Sequence, residues 1–298
     1  MKSGTVAVVG RANAGKSTLV NVLVGEKVAI VSPKPQTTRD RILGIRNSET
    51  SQIVFEDTPG LYKASSVLNS IMQRSSERSA EDVDLIMFVI DGHEGVKERD
   101  LELLSGFMKK KVPLIVVMSK TDIMPKENVM TELEKFADFG VEVVPVSARK
   151  GKNLKELVAV IENNLPEGEP LYDENVVSDK SEKFMIAEIM REKLLLLYDK
   201  EIPHGVAIIV NEFKLREDGK VYDVNLDIVC ERPNHKAIII GKQGSAIKKA
   251  SSFAREEMEK FLGKKVFLTT YVKVKEDWRQ NKYLIKQLGV AETDEDLR

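Results

Sequence analysis

Cysteine and histidine are nearly absent from this 298-residue chain, which has one Cys, Cys230, and three His. A single thiol cannot close an internal disulfide, so a cytosolic setting is the default. His93, His204 and His235 are scattered, and with one Cys they fall short of the clustered ligands of a structural zinc site. Long apolar runs are missing as well. The opening MKSGTVAVVG reaches a glycine turn too soon for a signal peptide, and no stretch approaches the roughly 18 apolar residues of a membrane span. Nor is there an excess of one charge: 46 Lys and Arg face 47 Asp and Glu, for a net −1. That excludes a protein basic throughout, but not a local basic face. A soluble, cytoplasmic protein is the expectation.

What is present suits a globular chain, with 42% apolar and 31% charged residues. At about 150 residues per domain the length predicts two domains, each able to bury its own core. Residues 1–165 alternate β-rich apolar runs (TVAVVG, RILGIRN, SQIVFED, DLIMFVID, PLIVVMS, VEVVPVS) with helical patterns. This predicts an α/β domain with a mostly parallel sheet covered on both faces. RILGIRN and SQIVFED, joined by a short polar turn, predict an antiparallel hairpin at its edge. Residues 166–180, rich in Pro, Gly and acids, read as a linker. Residues 181–298 change order to α-β-β-α-α-β, a smaller α+β domain with a C-terminal tail. Its last long helix is expected to bury Ile247, Ala250, Ala254, Met258 and Phe261 along one side.

The chemistry is concentrated at strand ends. Gly10-Arg-Ala-Asn-Ala-Gly15-Lys16-Ser17 fits G-x-x-x-x-G-K-[ST], directly after one strand and opening a helix that continues with Thr18. Its glycines, with Asn13 and Ala14 between them, let backbone N–H groups curl around phosphate at a helix N-terminus. Lys16 should reach the β- and γ-phosphates and Ser17 should ligate Mg²⁺. Asp57-Thr58-Pro59-Gly60 closes another strand, where Asp57 can hold Mg²⁺ and the Gly60 N–H can meet a γ-phosphate. Ser119-Lys120-Thr121-Asp122 follows a third. The Asp122 carboxylate can accept from guanine N1–H and N2–H₂, a donor pair that adenine lacks. The Lys120 stem can cover the base, and Ser147-Ala148 can offer a backbone N–H to guanine O6. Read singly, DTPG is only a turn and SKTD only a polar loop. Together, in this order, they are similar to the motif set of translation-factor-related GTPases.

In the second domain, Gly241-Lys242-Gln243-Gly244 lies between two helical segments, with Lys248 just beyond. In this topology it resembles the G-x-x-G loop of a type II KH domain, which clamps about four nucleotides of single-stranded backbone. From Arg232 to Lys286 there are 14 basic and five acidic residues, whereas Leu171–Glu231 holds eight and 14. The basic charge is therefore gathered around that loop.

A P-loop GTPase domain followed by one KH domain resembles the Era family of bacterial GTPases across essentially the whole chain. Pro35-Gln36-Thr37-Thr38-Arg39, Leu61 after DTPG, and F-M-x-x-E-I-x-R-E-K from Phe184 to Lys193 carry that resemblance further. It implies GTP/GDP and Mg²⁺ as cofactors, and as partners the 3′ end of 16S ribosomal RNA and the 30S subunit during its assembly, not DNA. It implies that Thr38 ligates Mg²⁺ in the GTP state and that Asn13 helps to bind K⁺. It also raises peripheral association with the inner face of the cell membrane, for which the sequence offers no segment.

Two positions depart from common GTPase patterns. Leu61 stands where many signalling GTPases carry a water-positioning Gln; an apolar chain cannot orient water, so slow intrinsic hydrolysis is expected, with no side chain as general base. Ser119 replaces the Asn of N-K-x-D and is too short for all of that residue's bridging contacts. GTP specificity with weaker affinity follows, and Ser119→Asn should tighten binding. Two alternatives stay open: an RNA-binding assembly protein whose nucleotide site barely turns over, and a transfer-RNA-modification GTPase, whose C-terminal catalytic Cys is absent here. Cys230 reads as core, His235 as a lesser candidate for RNA contact, and Trp278 and Tyr283 as either base-stacking or packing residues.

Overall fold

The computed structural model describes residues 1–61, 66–199 and 202–290, which form two compact units. The first comprises residues 1–29, 38–61 and 72–179; the second comprises residues 30–37, 66–71 and 180–290.

The first unit runs β1 (Lys2–Val9), α1 (Lys16–Val24), β2 (Ile42–Asn47), β3 (Ser51–Asp57), then α2 (Val67–Arg78), whose first turn belongs to the second unit. It continues with β4 (Leu85–Asp91), α3 (Glu98–Met108), β5 (Leu114–Ser119), α4 (Lys126–Glu134), β6 (Glu142–Pro145) and α5 (Leu154–Asn164). The sheet order is β2-β3-β1-β4-β5-β6, and only β2 is antiparallel to its neighbour. Alternate residues of each strand feed opposite cores. Val6, Val8, Ile53, Phe55, Met87 and Val117 pack under α1 and α5, whereas Ala7, Val9, Phe88, Ile90 and Met118 pack under α3. Two buried faces explain why these strands read as unbroken apolar runs. The parallel order also places the C-terminal ends of β1, β3, β4, β5 and β6 along one rim, where the phosphate and base motifs lie.

Residues 166–179 are fastened to the first unit rather than hanging free. The amides of Leu171 and Tyr172 donate to Gln52 Oε1 at 2.6 and 2.9 Å, and Gln52 Nε2 donates to the Tyr172 carbonyl. Farther on, Ile45 N donates to Val177 O and Leu43 N to Asp179 Oδ1. The acidic segment thus covers the open edge of β2, whose backbone would otherwise offer a row of unpaired groups.

The second unit contains α6 (Glu182–Leu197), β7 (Ala207–Leu215), β8 (Val221–Cys230), α7 (Pro233–Ile240), α8 (Ser245–Leu262), β9 (Lys265–Val274) and α9 (Lys282–Gln287). Its sheet, β7-β8-β9, pairs β7 with β8 antiparallel and β8 with β9 parallel. Val224, Leu226, Ile228 and Cys230 alternate onto the face covered by Ile186, Ile189, Met190 and Leu194 of α6 and Ala250, Ala254 and Met258 of α8. Phe261, expected on that buried side, is instead 36% exposed, because the buried row of α8 continues at four-residue spacing from Ala250, Ala254 and Met258 to Leu262, which packs against the core in its place. Trp278 is fully buried and donates from Nε1 to Gly205 O, so it packs the domain, whereas Tyr283 stands exposed.

Candidate nucleotide site and nucleic-acid loop

The phosphate loop is shaped by two glycines at positive φ. Gly10, at φ 144°, passes so close to β4 that a Cβ would lie 2.2 Å from the Val89 carbonyl. Gly15, at φ 92°, opens α1. Lys16 turns back across the loop and donates to the carbonyls of Gly10 and Arg11 at 3.1 and 3.0 Å. Burial strips water from its ammonium and lowers its pKa to about 8, although the nearby Asp57 charge pulls the other way.

Asp57 ends β3 fully buried. Its Oδ2 accepts from Ser17 Oγ at 2.6 Å and from Thr38 Oγ1 at 3.3 Å, and the two hydroxyls lie 2.9 Å apart. Its Oδ1 is buried and, among the described residues, has no hydrogen-bond partner. Burial pushes this carboxyl's pKa up, against the pull of Lys16 and the two hydroxyls. Two hydroxyls and a carboxylate with a spare lone pair form an all-oxygen set that fits a hard divalent cation. Gly60 lies against the phosphate loop: a Cβ there would be 2.6 Å from Ala12 Cα, and the Leu61 amide donates to Gly10 O at 3.2 Å.

At the base end, the Ser119 hydroxyl donates to Ala14 O at 2.6 Å, and Lys120, at φ 57°, reaches Asn13 O at 2.7 Å and Asp91 Oδ2 at 2.6 Å. Asp122 Oδ1 accepts from the Ser147 hydroxyl at 2.6 Å, a bond that holds its carboxyl below the usual range. Ser147 also caps the turn through Ala148 by accepting from Lys150 N. Thr18, in the first turn of α1, is half-buried.

In the second unit, α7 ends at Ile240 and the chain turns through Gly241 (φ 72°), Gln243 (φ 51°) and Gly244 (φ 76°) into α8. A Cβ on Gly241 would lie 2.6 Å from that of Ala246. Lys242, Gln243 and Lys248 are exposed. Beside the loop is a groove of about 760 Å³, whose lining includes Lys236, Ile240, Ile247, Thr270, Tyr271 and Lys273.

Both units match families of known proteins. Residues 5–120 match the family described as 50S ribosome-binding GTPase, and residues 201–279 match the KH domain. The GTPase Era of Clostridium kluyveri is 44% identical over 292 residues, covering 97% of this chain and 99% of its own. That of Halothermothrix orenii is also 44% identical, over 289 residues covering 97% and 98%. The chain belongs to the Era family of GTPases. Two solved Era structures superpose with a TM-score of 0.93 at 42% identity, each covering 98% of this chain. One is a complex with MgGDPNP and nucleotides 1506–1542 of 16S ribosomal RNA, covered over 99% of its length. The other is an Aquifex aeolicus Era variant bound to GDP·AlF₄⁻, covered over its whole length.

Within this Era-family GTPase the structure gathers Thr38, Asp57 and Gly60 around the Gly10–Ser17 loop, and sets Ser119 and Lys120 against the same loop, with Asp122 bonded to Ser147. Two further residues support the site. Asp91, at the end of β4, anchors Lys120, and buried Asp100 of α3 accepts from Arg11 Nε at 2.7 Å. Arg11 also faces Glu94 at 3.5 Å, so both carboxylates steer its guanidinium. A carboxylate closing DLIMFVID was the only local signal for Asp91; Asp100 carried none. Among the described residues, no helix is long and apolar enough to cross a membrane.

Proposed function

We propose that this Era-family GTPase binds the 3′ end of 16S ribosomal RNA through Gly241–Gly244 and Lys248, under control of its nucleotide state, and serves small-subunit assembly. One observation carries this reading: the phosphate-loop and guanine-type motifs and a G-x-x-G loop with exposed lysine stand in one chain that superposes along its length on an Era bound to such an RNA. Ser17, Thr38 and Asp57 would hold Mg²⁺, which supplies charge neutralisation at the β- and γ-phosphates. Asn13 is assigned to K⁺ on resemblance alone. Lys16 brings an ammonium that gains phosphate oxygens on nucleotide binding, and the Gly60 N–H meets the γ-phosphate. Leu61 offers water no hydrogen bond, so hydrolysis proceeds by in-line attack of water without a side-chain base.

The test is binding of a short RNA matching the 3′ end of 16S ribosomal RNA, in GDP and in a non-hydrolysable GTP analogue. At least tenfold tighter binding with the analogue, abolished in Gly241→Asp/Gly244→Asp, is expected. Absence of binding in both states overturns the RNA role and leaves the GTPase site standing.

A further inference from the structure

In the second unit, Val224, Leu226, Ile228 and Cys230 of β8 point into the core, so strand alternation sends Asp223, Asn225 and Asp227 to the opposite face of the sheet. Their partners in β9 are Phe267, Thr269 and Tyr271, and paired residues of neighbouring strands share a face. This outer face therefore carries two aromatic rings. The other rings of the sheet are used in packing: Phe213 and Tyr222 stack with centroids 4.9 Å apart and lie against the core. Phe267 and Tyr271 instead remain 59% and 54% exposed. Single exposed apolar residues are ordinary, but these two stand at i and i+4 of one strand, roughly 13 Å apart along it.

Cations accompany both rings. The Arg216 guanidinium lies 5.5 Å from the Phe267 ring centre and forks onto Asp223 at 2.8 and 2.6 Å. Exposed Lys273 pairs with Asp227 at 2.6 Å, and Lys265 opens β9 with its side chain 76% exposed. The two acids of β8 are thus each matched by a cation, and exposed Glu212 and Lys214 of β7 offset each other. The face is also continuous with the G-x-x-G loop. The groove beside that loop is lined by Ile240 and Ile247 on its helical side and by Asn211, Asn225, Tyr271 and Lys273 on its sheet side. Tyr271 belongs to both surfaces. Rings set among charged and amide side chains are a poor match for the core of a protein interface, from which charge is depleted. They suit nucleic-acid bases, each of which has a π-face, with cations nearby for the phosphates.

We infer that the outer sheet face, through Phe267 and Tyr271, is a stacking platform for bases of single-stranded RNA that flank the stretch held by the Gly241–Gly244 loop. This rests on the reading that the loop clamps that RNA, and it extends the contact beyond the clamp.

The experiment uses the full chain with Mg²⁺ and a non-hydrolysable GTP analogue. It measures affinity for single-stranded RNA matching the 3′ end of 16S ribosomal RNA, trimmed stepwise from either end to the roughly four nucleotides that such a loop clamps. Phe267→Ala and Tyr271→Ala should each weaken binding of the untrimmed RNA by roughly fivefold or more, so that its advantage over the trimmed RNA shrinks. Phe267→Tyr and Tyr271→Phe keep a ring and should keep that advantage. Phe267→Leu and Tyr271→Leu, apolar without a ring, should lose it. Melting temperatures should stay near the parent's, since both side chains stand largely in water. Parent affinity in the alanine variants overturns the inference, as does an equal loss for untrimmed and trimmed RNA, which would place the rings in the clamp. A changed association state of the RNA-free chain with RNA affinity kept also overturns it, making this face a contact between copies. Gly241→Asp/Gly244→Asp separates the two readings. If it leaves both RNAs bound undiminished, the loop reading fails, and the inference with it. If it abolishes binding while the alanine variants bind as the parent does, only the inference fails.

Discussion

The Ser119 hydroxyl donates to the Ala14 carbonyl at 2.6 Å, joining the end of β5 to the phosphate loop. Serine therefore makes the bridge to the loop that its length put in doubt. Both groups are buried, so Ser119→Ala leaves the carbonyl without its donor. The loss of about 1 kcal/mol corresponds to roughly fivefold weaker binding. Because the bridge touches no phosphate, GTP and GDP should weaken alike in fluorescent-nucleotide titrations. Asparagine is long enough to keep the bridge and add a contact to the base, so Ser119→Asn should tighten both. A change confined to GTP would contradict this role.

The Asp122 carboxylate is oriented by the Ser147 hydroxyl, and the proposed site assigns it to reading the base. Asp122→Asn replaces one acceptor oxygen with an NH₂ group, which would meet the guanine amino group donor to donor. Xanthine presents a carbonyl there and accepts instead. GTP affinity should fall by at least about 100-fold, with xanthosine triphosphate bound in preference. Competition between the two nucleotides measures the switch, and retention of guanine preference would remove Asp122 from base recognition.

Gly60 has no room for a side chain. A Cβ would sit 2.6 Å from Ala12 Cα and 2.8 Å from Ala12 N, both rigid backbone atoms of the phosphate loop. Gly60→Ala should push this turn away and withdraw its N–H from the γ-phosphate. Loss of one such donor costs on the order of 100-fold in rate. Hydrolysis should fall by about that factor while GDP affinity stays close to the parent's. An equal loss of GDP binding would mean that the phosphate loop, not the turn, had moved.

Local patterns carried most of these features. The strands announced themselves because both faces of the first sheet are buried, and the phosphate loop because its glycines and lysine are contiguous. Features that depend on distant partners left no such trace. Arg11 and Asp100 are 89 positions apart, and Gln52 meets Tyr172 across 120. The stretch 166–179 has the composition of a linker, yet Gln52, Ile45 and Leu43 bind its backbone and one of its side chains, interactions that no periodicity encodes. Arg191 and Glu192 entered only as letters of the Phe184–Lys193 run; partners of theirs lie 154 and 161 positions earlier. Phe261 failed for a local reason, since both it and Leu262 lie at helical spacing from Met258, and it is Leu262 that packs against the core.

Lys16 links the stability of the nucleotide-free protein to pH. Its folded pKa is about 8, whereas an unfolded lysine titrates near 10.4. Between those values the unfolded chain binds more protons, so raising pH through this window favours the folded state; below pH 8 the buried ammonium weighs against folding in full. Lys16→Met removes this term while keeping an unbranched chain of similar length. The difference in melting temperature, variant minus parent, should therefore be most positive below pH 8 and shrink as pH rises towards 10, measured without nucleotide and in the presence of a chelator. Subtracting the variant cancels the other lysines and tyrosines that titrate in the same range. Phosphate oxygens stabilise the ammonium, so saturating GDP should flatten the dependence. A difference constant with pH would mean that Lys16 keeps its ordinary pKa in the folded protein, and that nucleotide phosphate relieves no buried charge when it binds.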